Sequence, residues 1–132
     1  MTSELRKTTR FSVLRHDGPD GLHWDFFLEM GPVLKTWALP RPPESGVEMP
    51  CTALPDHRLL YLDYEGPVSG DRGTVSLWDR GTYCLCRLEE TELVVELTGE
   101  KLIGRAVLKQ QSHDRSAWCF SFVQVPATKD LP

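Results

Sequence analysis

The sequence predicts an all-β protein, a compact single-domain β-barrel of about eight short, mostly antiparallel strands. Three observations favour this class. Short segments rich in β-branched and aromatic residues follow one another along the chain. Turns built from Gly, Pro, Asp or Glu separate them, and no convincing long amphipathic helix interrupts them. With 132 residues, the chain is long enough for one core of ordinary size and too short for two.

Strands are expected where such a segment is bounded by turn residues. The expected strands are Phe11–Arg15, Leu22–Met30, Val33–Leu39, Leu59–Tyr64, Gly73–Asp79, Thr82–Arg87, Glu92–Leu97, Gly104–Gln110 and Trp118–Gln124. The clearest hairpin turns are Met30–Pro32, Asp79–Gly81 and Thr98–Lys101. The regular spacing of these segments is typical of a barrel or a sandwich.

A proline-rich segment interrupts the pattern of strands. It begins at Pro40 and continues through Pro50 to Pro55. Because proline has no N–H for a strand ladder, we expect this segment to be a loop. The loop ends next to His57, where a histidine is again surrounded by charged residues.

The domain organisation follows from the same pattern. We expect residues 1–9 to form a flexible N-terminal tail, residues 10–125 the β-barrel domain and residues 126–132 a C-terminal tail. No apolar run is long enough to span a bilayer, and the polar N-terminus has no signal-peptide core. We therefore expect a cytoplasmic protein that has no membrane partner.

Charge and cysteine content exclude some classes of function. The formal net charge of −4 argues against a protein that binds nucleic acid mainly through bulk positive charge. A local basic patch remains available from Arg15, Lys35, Arg41, Arg58, Arg72 and Arg80. The four cysteines form no Cys-x-x-Cys pair, so reduced, mostly buried thiols are favoured over a zinc site or a disulfide framework.

Residues 22–29 predict a strand with one core face and one chemically active face, since alternate side chains of a strand point to opposite sides. His23 and Asp25 share a face with Phe27 and Glu29. His16, returned by a Gly/Pro turn, can approach the same face. Two imidazoles and one carboxylate suit a divalent ion of manganese, zinc or iron. The alternative is that both histidines are surface or hydrogen-bonded groups and that Asp25 is solvated.

A second cluster lies further along the chain. His57, Arg58 and Tyr61 are the types of donor that hold a phosphate and stabilise charge on its oxygens. The alternative is a loop–strand junction with packed tyrosines and solvated acids. The glycines of residues 66–75 can let the backbone approach an anion, although such segments are also common turns.

Together these segments resemble the 3′-phosphoesterase (N-terminal) domain of bacterial DNA ligase D, with this chain as a stand-alone divergent member. The matching segments occur in order over nearly the whole chain: Phe11–Asp17, Leu22–Glu29, Val33–Pro40, Asp56–Gly66, Trp78–Thr82, Leu97–Arg105 and the terminal strand at Trp118.

The resemblance implies a metal-dependent phosphoesterase that acts on nucleic-acid 3′ ends in DNA repair, removing a 3′-terminal ribonucleoside or a 3′-phosphate from a primer strand. It implies one divalent metal, Mn²⁺, with Zn²⁺ or Fe²⁺ as alternatives, held by His16, His23 and Asp25. Separate ligase or polymerase repair proteins are the implied partners.

The resemblance also implies catalytic roles. His57 would contact the scissile phosphate, and Tyr61 would lie in the same site. Arg41 falls where the family has a functional lysine. Arg58 is expected to bind phosphate from its position beside His57, where it could compensate for a family arginine that this chain lacks, and not from the resemblance.

Two departures from the family pattern favour a second hypothesis. Phe27 and Met49 stand where the family has arginines, although the proline-rich segment makes the second match loose. These apolar residues favour a metal-containing module that binds nucleic-acid ends or a repair partner without turnover. A third hypothesis is a structural β-barrel without a metal.

Overall fold

A computed structural model of the chain describes residues 9–111 and 114–125. Its strands are β1 (Thr9–Gly18), β2 (Gly21–Met30), β3 (Val33–Leu39), β4 (Val47–Arg58), β5 (Gly66–Pro67), β6 (Thr74–Glu89), β7 (Glu92–Gly99), β8 (Ile103–Gln110) and β9 (Ala117–Gln124). A 3₁₀ helix, Leu59–Asp63, directly follows β4. Within these ranges, no helix has the length and apolar character needed to cross a membrane.

All nine strands belong to one antiparallel sheet. Their order is β1-β2-β3-β4-β9-β8-β7-β6-β5, and an additional pairing between β1 and β6 closes the sheet into a ring. The two-residue strand β5 pairs only with β6 and lies outside this ring. The all-β class predicted from the sequence is confirmed.

The long strand β6 closes the ring because it pairs with two other strands of the ring, one after the other along its length. It pairs with β1 from Thr74 to Tyr83 and with β7 from Gly81 to Glu89. At the crossing, a Cβ atom on Gly81 would lie 2.0 Å from the Thr98 carbonyl oxygen, so only glycine fits there. The turn predicted at Asp79–Gly81 is therefore wrong, since this segment continues the strand.

The predicted strand Leu59–Tyr64 is also wrong, since most of it is the 3₁₀ helix. Leu62 is buried, Leu59 is partly buried, and Leu60 between them is 47% exposed. A spacing of three residues matches one turn of a 3₁₀ helix and does not match the alternation of a strand.

The proline-rich segment is a loop only over residues 40–46, because β4 includes both Pro50 and Pro55. Pro55 lies where the pairing of β3 with β4 changes register. Pro50 lies beyond the part of β4 that pairs with β3, so only β9 is its neighbour. Bulges and strands with one free edge are the places where a sheet tolerates proline.

The main core lies inside the ring. It contains Phe11, Phe26, Trp37, Met49, Phe120 and Phe122 among its buried side chains. The ring centroids of Phe26 and Phe120 lie 5.3 Å apart in an edge-to-face contact, a favoured arrangement for buried aromatic rings.

A smaller buried group, called here the outer cluster, covers the opposite face of β2. It consists of Leu14, Phe27, Leu34, Leu62 and Val75. The 3₁₀ helix contributes Leu62 to it. Strand β2 is thus covered on both faces, with Phe26 in the main core and Phe27 in the outer cluster.

All four cysteines are free thiols. Cys51 is buried, and this burial raises the pKa of its thiol to about 12. Cys84 and Cys86 are exposed on β6, so the expectation of mostly buried thiols is wrong for them. The two predicted tails lie outside the described residues, except for Thr9, the first residue of β1.

The Asp79 carboxylate, which is 1% exposed, is predicted to be a main support of the fold. It accepts hydrogen bonds of 2.9–3.0 Å from the backbone N–H groups of Glu100, Lys101 and Leu102, which connect β7 to β8. Replacing it by Asn turns a charged acceptor into an amide whose NH₂ faces donors. Asp79→Asn should lower the free energy of unfolding by about 3 kcal/mol, measured by urea denaturation.

The exposed Glu90 provides a control for this measurement, because Glu90→Gln should change the free energy of unfolding by less than about 0.5 kcal/mol. A loss for Asp79→Asn no larger than the control's would contradict the assigned role of the carboxylate.

A second prediction concerns Phe27, which is 1% exposed in the outer cluster. Phe27→Ala removes the ring and leaves a cavity, so it should cost about 3–4 kcal/mol of unfolding free energy. Phe27→Leu keeps most of the apolar volume and should cost about 1 kcal/mol. Urea denaturation of both variants tests this, and equal costs for the two would show that the ring does not support the cluster.

Candidate metal centre and phosphate pocket

The hairpin of β1 and β2 brings together the three residues predicted to bind a metal. His16 and His23 are direct partners in the antiparallel register, and their ring centroids lie 4.6 Å apart. Asp25 follows two residues after His23, so it lies on the same face of β2. One ligand atom from each of the three residues lies within 4.8 Å of the others.

The Asp25 carboxylate is at the centre of this group and is 4% exposed. Its Oδ1 accepts a hydrogen bond from Nε2 of His23 at 2.9 Å, and its Oδ2 lies 3.1 Å from Nδ1 of His16. The hydrogen bond to Asp25 raises the pKa of the His23 imidazole, while partial burial opposes this shift. The site therefore favours positive charge next to Asp25.

His16 provides a test of whether the group fits a metal. Its Nε2–H donates to the backbone carbonyl of Arg72 at 2.7 Å, while its Nδ1 faces Asp25. A neutral imidazole has only one N–H and cannot donate from both nitrogens. A doubly protonated imidazolium satisfies both contacts, and so does a metal ion bound to Nδ1. A carbonyl on the other nitrogen is the usual support of a metal-bound histidine. The residues therefore fit a divalent metal.

The close approach of the Arg72 carbonyl depends on the next residue, Gly73. Its φ of +91° is one that other residues rarely adopt, and a Cβ atom there would lie 2.1 Å from the Asp17 carbonyl oxygen. The glycine-containing segment noted in the sequence thus packs its backbone against the end of β1.

A cavity of about 460 Å³ adjoins the metal group. Its walls include His16, Asp25, His57, Arg58, Tyr61 and Arg72. The two clusters predicted separately from the sequence therefore face one space, and His23 lies just outside this lining.

The ring of His57 is held from several sides. Its Nδ1–H donates to the Pro55 carbonyl at 2.9 Å, which leaves Nε2 as the nitrogen able to contact a ligand. Its ring centroid lies 5.4 Å from that of Phe27 and 6.2 Å from that of Tyr61. Phe27 lies on the same face as Asp25, as predicted, and it packs beneath His57.

Two arginines line the cavity with His57. Arg58 shares this wall although it is the next residue, because β4 ends there and the chain turns into the 3₁₀ helix. Arg72 donates from Nε to the Ser69 carbonyl at 2.7 Å and from its terminal nitrogen to the Ser69 hydroxyl at 3.2 Å. In the sequence, Arg72 is only one of several basic residues. The neighbouring glycines are the only local feature that points to a role for it in an anion site.

Two other residues considered from the sequence lie apart from this cavity. Arg41 is exposed just after β3 and is not part of the lining. The last residue of β3, Leu39, pairs with Trp24, so Arg41 lies beyond the His23 end of β2. Met49 is 1% exposed in the main core, so an arginine at that position would not face the cavity.

Comparison with known proteins gives a consistent result. The family model for the DNA Ligase D 3′-phosphoesterase domain matches residues 14–110. The Multifunctional non-homologous end joining protein LigD of Pseudomonas aeruginosa is 38% identical over 106 residues, covering 73% of this chain and 12% of that protein. The protein of the same name from Mycobacterium bovis is 35% identical over 102 residues, covering 70% of this chain and 13% of its own length.

The Multifunctional non-homologous end joining DNA repair protein LigD of Mycobacterium tuberculosis matches equally well, at 35% identity over 102 residues. This chain thus spans a small part, 12–13%, of the curated relatives that it matches. The family match includes β1 from Leu14 onward, both predicted clusters and all of β8. The chain belongs to the DNA ligase D 3′-phosphoesterase domain family.

Proposed function

We propose that this protein is a manganese-dependent phosphoesterase that acts on nucleic-acid 3′ ends during the repair of broken DNA. It would remove a 3′-terminal ribonucleoside or a 3′-phosphate from a primer strand. The observation that carries the proposal is the convergence of the His16, His23 and Asp25 group with His57 and two arginines around one cavity. Family membership and the names of the relatives, which describe end joining and DNA repair, support it.

The metal would be held by His16, His23 and Asp25, and when bound it would polarise a phosphoryl oxygen or activate water. Two histidines and one carboxylate also suit Zn²⁺ and Fe²⁺, so Mn²⁺ is proposed from the family alone. The chain's own residues have distinct tasks around it. Asp25 neutralises positive charge and orients both imidazoles through its two oxygens.

In the same cavity, Arg58 and Arg72 would bind the phosphate and balance its charge. His57, whose Nδ1–H is held by the Pro55 carbonyl, would act as the doubly protonated imidazolium, donating from Nε2–H to a phosphate oxygen and passing that proton to the leaving oxygen. Tyr61 would donate from its hydroxyl to a phosphate oxygen. Arg41 would contribute only from the rim, near the His23 end of β2.

The proposed partners follow from the same chemistry. The substrate would be the 3′ end of a primer strand, and the proteins acting with it would carry ligase or polymerase activity.

A second candidate function is a metal-containing module that binds nucleic-acid ends without turnover. The specific observation in its favour is the buried Phe27 ring on the face that carries Asp25. An apolar ring there cannot stabilise the negative charge that develops on the phosphoryl oxygens in the transition state. Arg58 and Arg72 are the groups that would compensate in an active enzyme.

Metal binding is tested by titrating Mn²⁺ into the purified protein and following it by calorimetry. One site is expected, and Asp25→Asn or His23→Ala should weaken it by about 100-fold or more, since even outer-shell partners cost 10–100-fold. His57→Gln should retain the wild-type affinity. Wild-type affinity in Asp25→Asn would refute the proposed ligands, and an absence of stoichiometric metal in wild type would favour a structural protein.

Turnover is tested with a primer that ends in a 3′-ribonucleotide or a 3′-phosphate. His57→Ala should slow release of the terminal group by about 10²–10⁴-fold, because general acids contribute that much. Glu90→Gln, on an exposed turn, should cleave like wild type. Wild-type trimming no faster than that of His23→Ala would reject the enzyme. End binding without product in that experiment would establish the second candidate instead.

A further inference from the structure

A smaller cavity of about 330 Å³ adjoins the cavity of about 460 Å³ that contains His57, and no residue of the metal group lines the smaller one. We refer to the larger cavity as the phosphate pocket. The two cavities share Arg58, Tyr61, Val68 and Ser69. The other walls of the smaller cavity are Leu60, Tyr64 and Pro67. We refer to Leu60, Tyr61, Tyr64 and Pro67 as the apolar shelf.

The shelf is an exposed apolar surface that is held rigidly. Leu60 is 47% exposed, and Tyr61 and Tyr64 beside it are partly buried. The Tyr61 and Tyr64 rings pack edge to face with centroids 5.6 Å apart. The Tyr64 hydroxyl donates to the Pro67 carbonyl, which holds the ring against β5.

Four rings lead from the outer cluster to the shelf. They are Phe27, His57, Tyr61 and Tyr64, with successive centroid distances of 5.4, 6.2 and 5.6 Å. The shelf thus begins one ring away from His57. A base is joined to its phosphate through a single sugar, so a nucleotide whose phosphate lies at His57 can place its base at this distance.

We propose that the apolar shelf binds the nucleobase of the nucleotide that carries the scissile phosphate. This proposal rests on the proposed function, because it requires the phosphate at His57. Aromatic rings beside cationic groups are the combination that holds nucleic-acid single strands: the cations bind the backbone, and the rings stack on bases. Arg58 belongs to both cavities and lies where the phosphate and the base would meet.

The shelf gives the site a way to recognise a nucleotide as well as a phosphate ester. Stacking tolerates any base, because every base has an aromatic face. The site should therefore accept all four bases and discriminate against an end that lacks a base.

The test uses two oligonucleotides with a 3′-phosphate, identical except that one lacks its terminal base. Binding is measured by fluorescence anisotropy without added metal, so that the ends stay intact, and cleavage is measured with Mn²⁺ by steady-state kinetics. Wild type should bind the complete end about tenfold more tightly than the abasic end. Tyr64→Leu and Leu60→Ser should lose that advantage on the complete end and bind the abasic end as wild type does. Tyr64→Phe, which keeps the ring, should retain the advantage.

The outcomes separate this proposal from the proposed function. If wild type binds both ends equally and still cleaves them, the shelf does not bind the base, and the proposed phosphoesterase activity is retained. If wild type prefers the complete end but cleaves neither end, base binding by the shelf is supported and the proposed phosphoesterase activity is rejected. Shelf variants that weaken both ends equally would also overturn the shelf. Wild type that binds neither end would overturn both proposals.

Discussion

The constraint on which this structure most depends is that β2 is covered on both faces. Phe26 and Leu28 complete the main core inside the ring, while Phe27 packs in the outer cluster. The apolar side chains of the outer cluster would be exposed to solvent without the 3₁₀ helix, which packs Leu62 against them. That helix directly follows His57 and Arg58. The packing that buries Phe27 therefore also brings these two residues to the cavity beside His16 and Asp25. Fold and site therefore depend on one strand.

The charges that line the cavity differ in balance from the net charge of the whole chain. The net charge of −4 describes the whole chain, whereas the cavity wall carries Arg58 and Arg72. The nearby acids each have a partner: Asp25 is hydrogen-bonded to two histidines, and the Asp56 carboxylate lies 3.4 Å from the Lys35 ammonium. A site of this kind attracts an anion through local arrangement and needs no excess of basic residues.

Strand alternation alone predicted much of the site. The period of two in β2 was sufficient to place His23 and Asp25 together and to set Phe27 on their face, and the structure bears out both placements. The segment after His57 could not be predicted in this way. A short apolar run is compatible with a strand or a helix, and its conformation depends on where Leu62 packs. Arg72 was one of six basic residues available for a local patch, and the sequence could not single it out because its position depends on the backbone of Gly73 and on contacts distant in sequence.

The central claim is that His16, His23 and Asp25 form a metal centre beside an anion pocket. A crystal structure of the protein soaked with Mn²⁺ and sulfate tests it most directly. We expect one manganese ion, located by anomalous scattering, bonded to Nδ1 of His16, Nε2 of His23 and the Asp25 carboxylate, with sulfate between the ion and His57. Manganese bound elsewhere, with the direct contacts from Asp25 to both histidines retained, would contradict it.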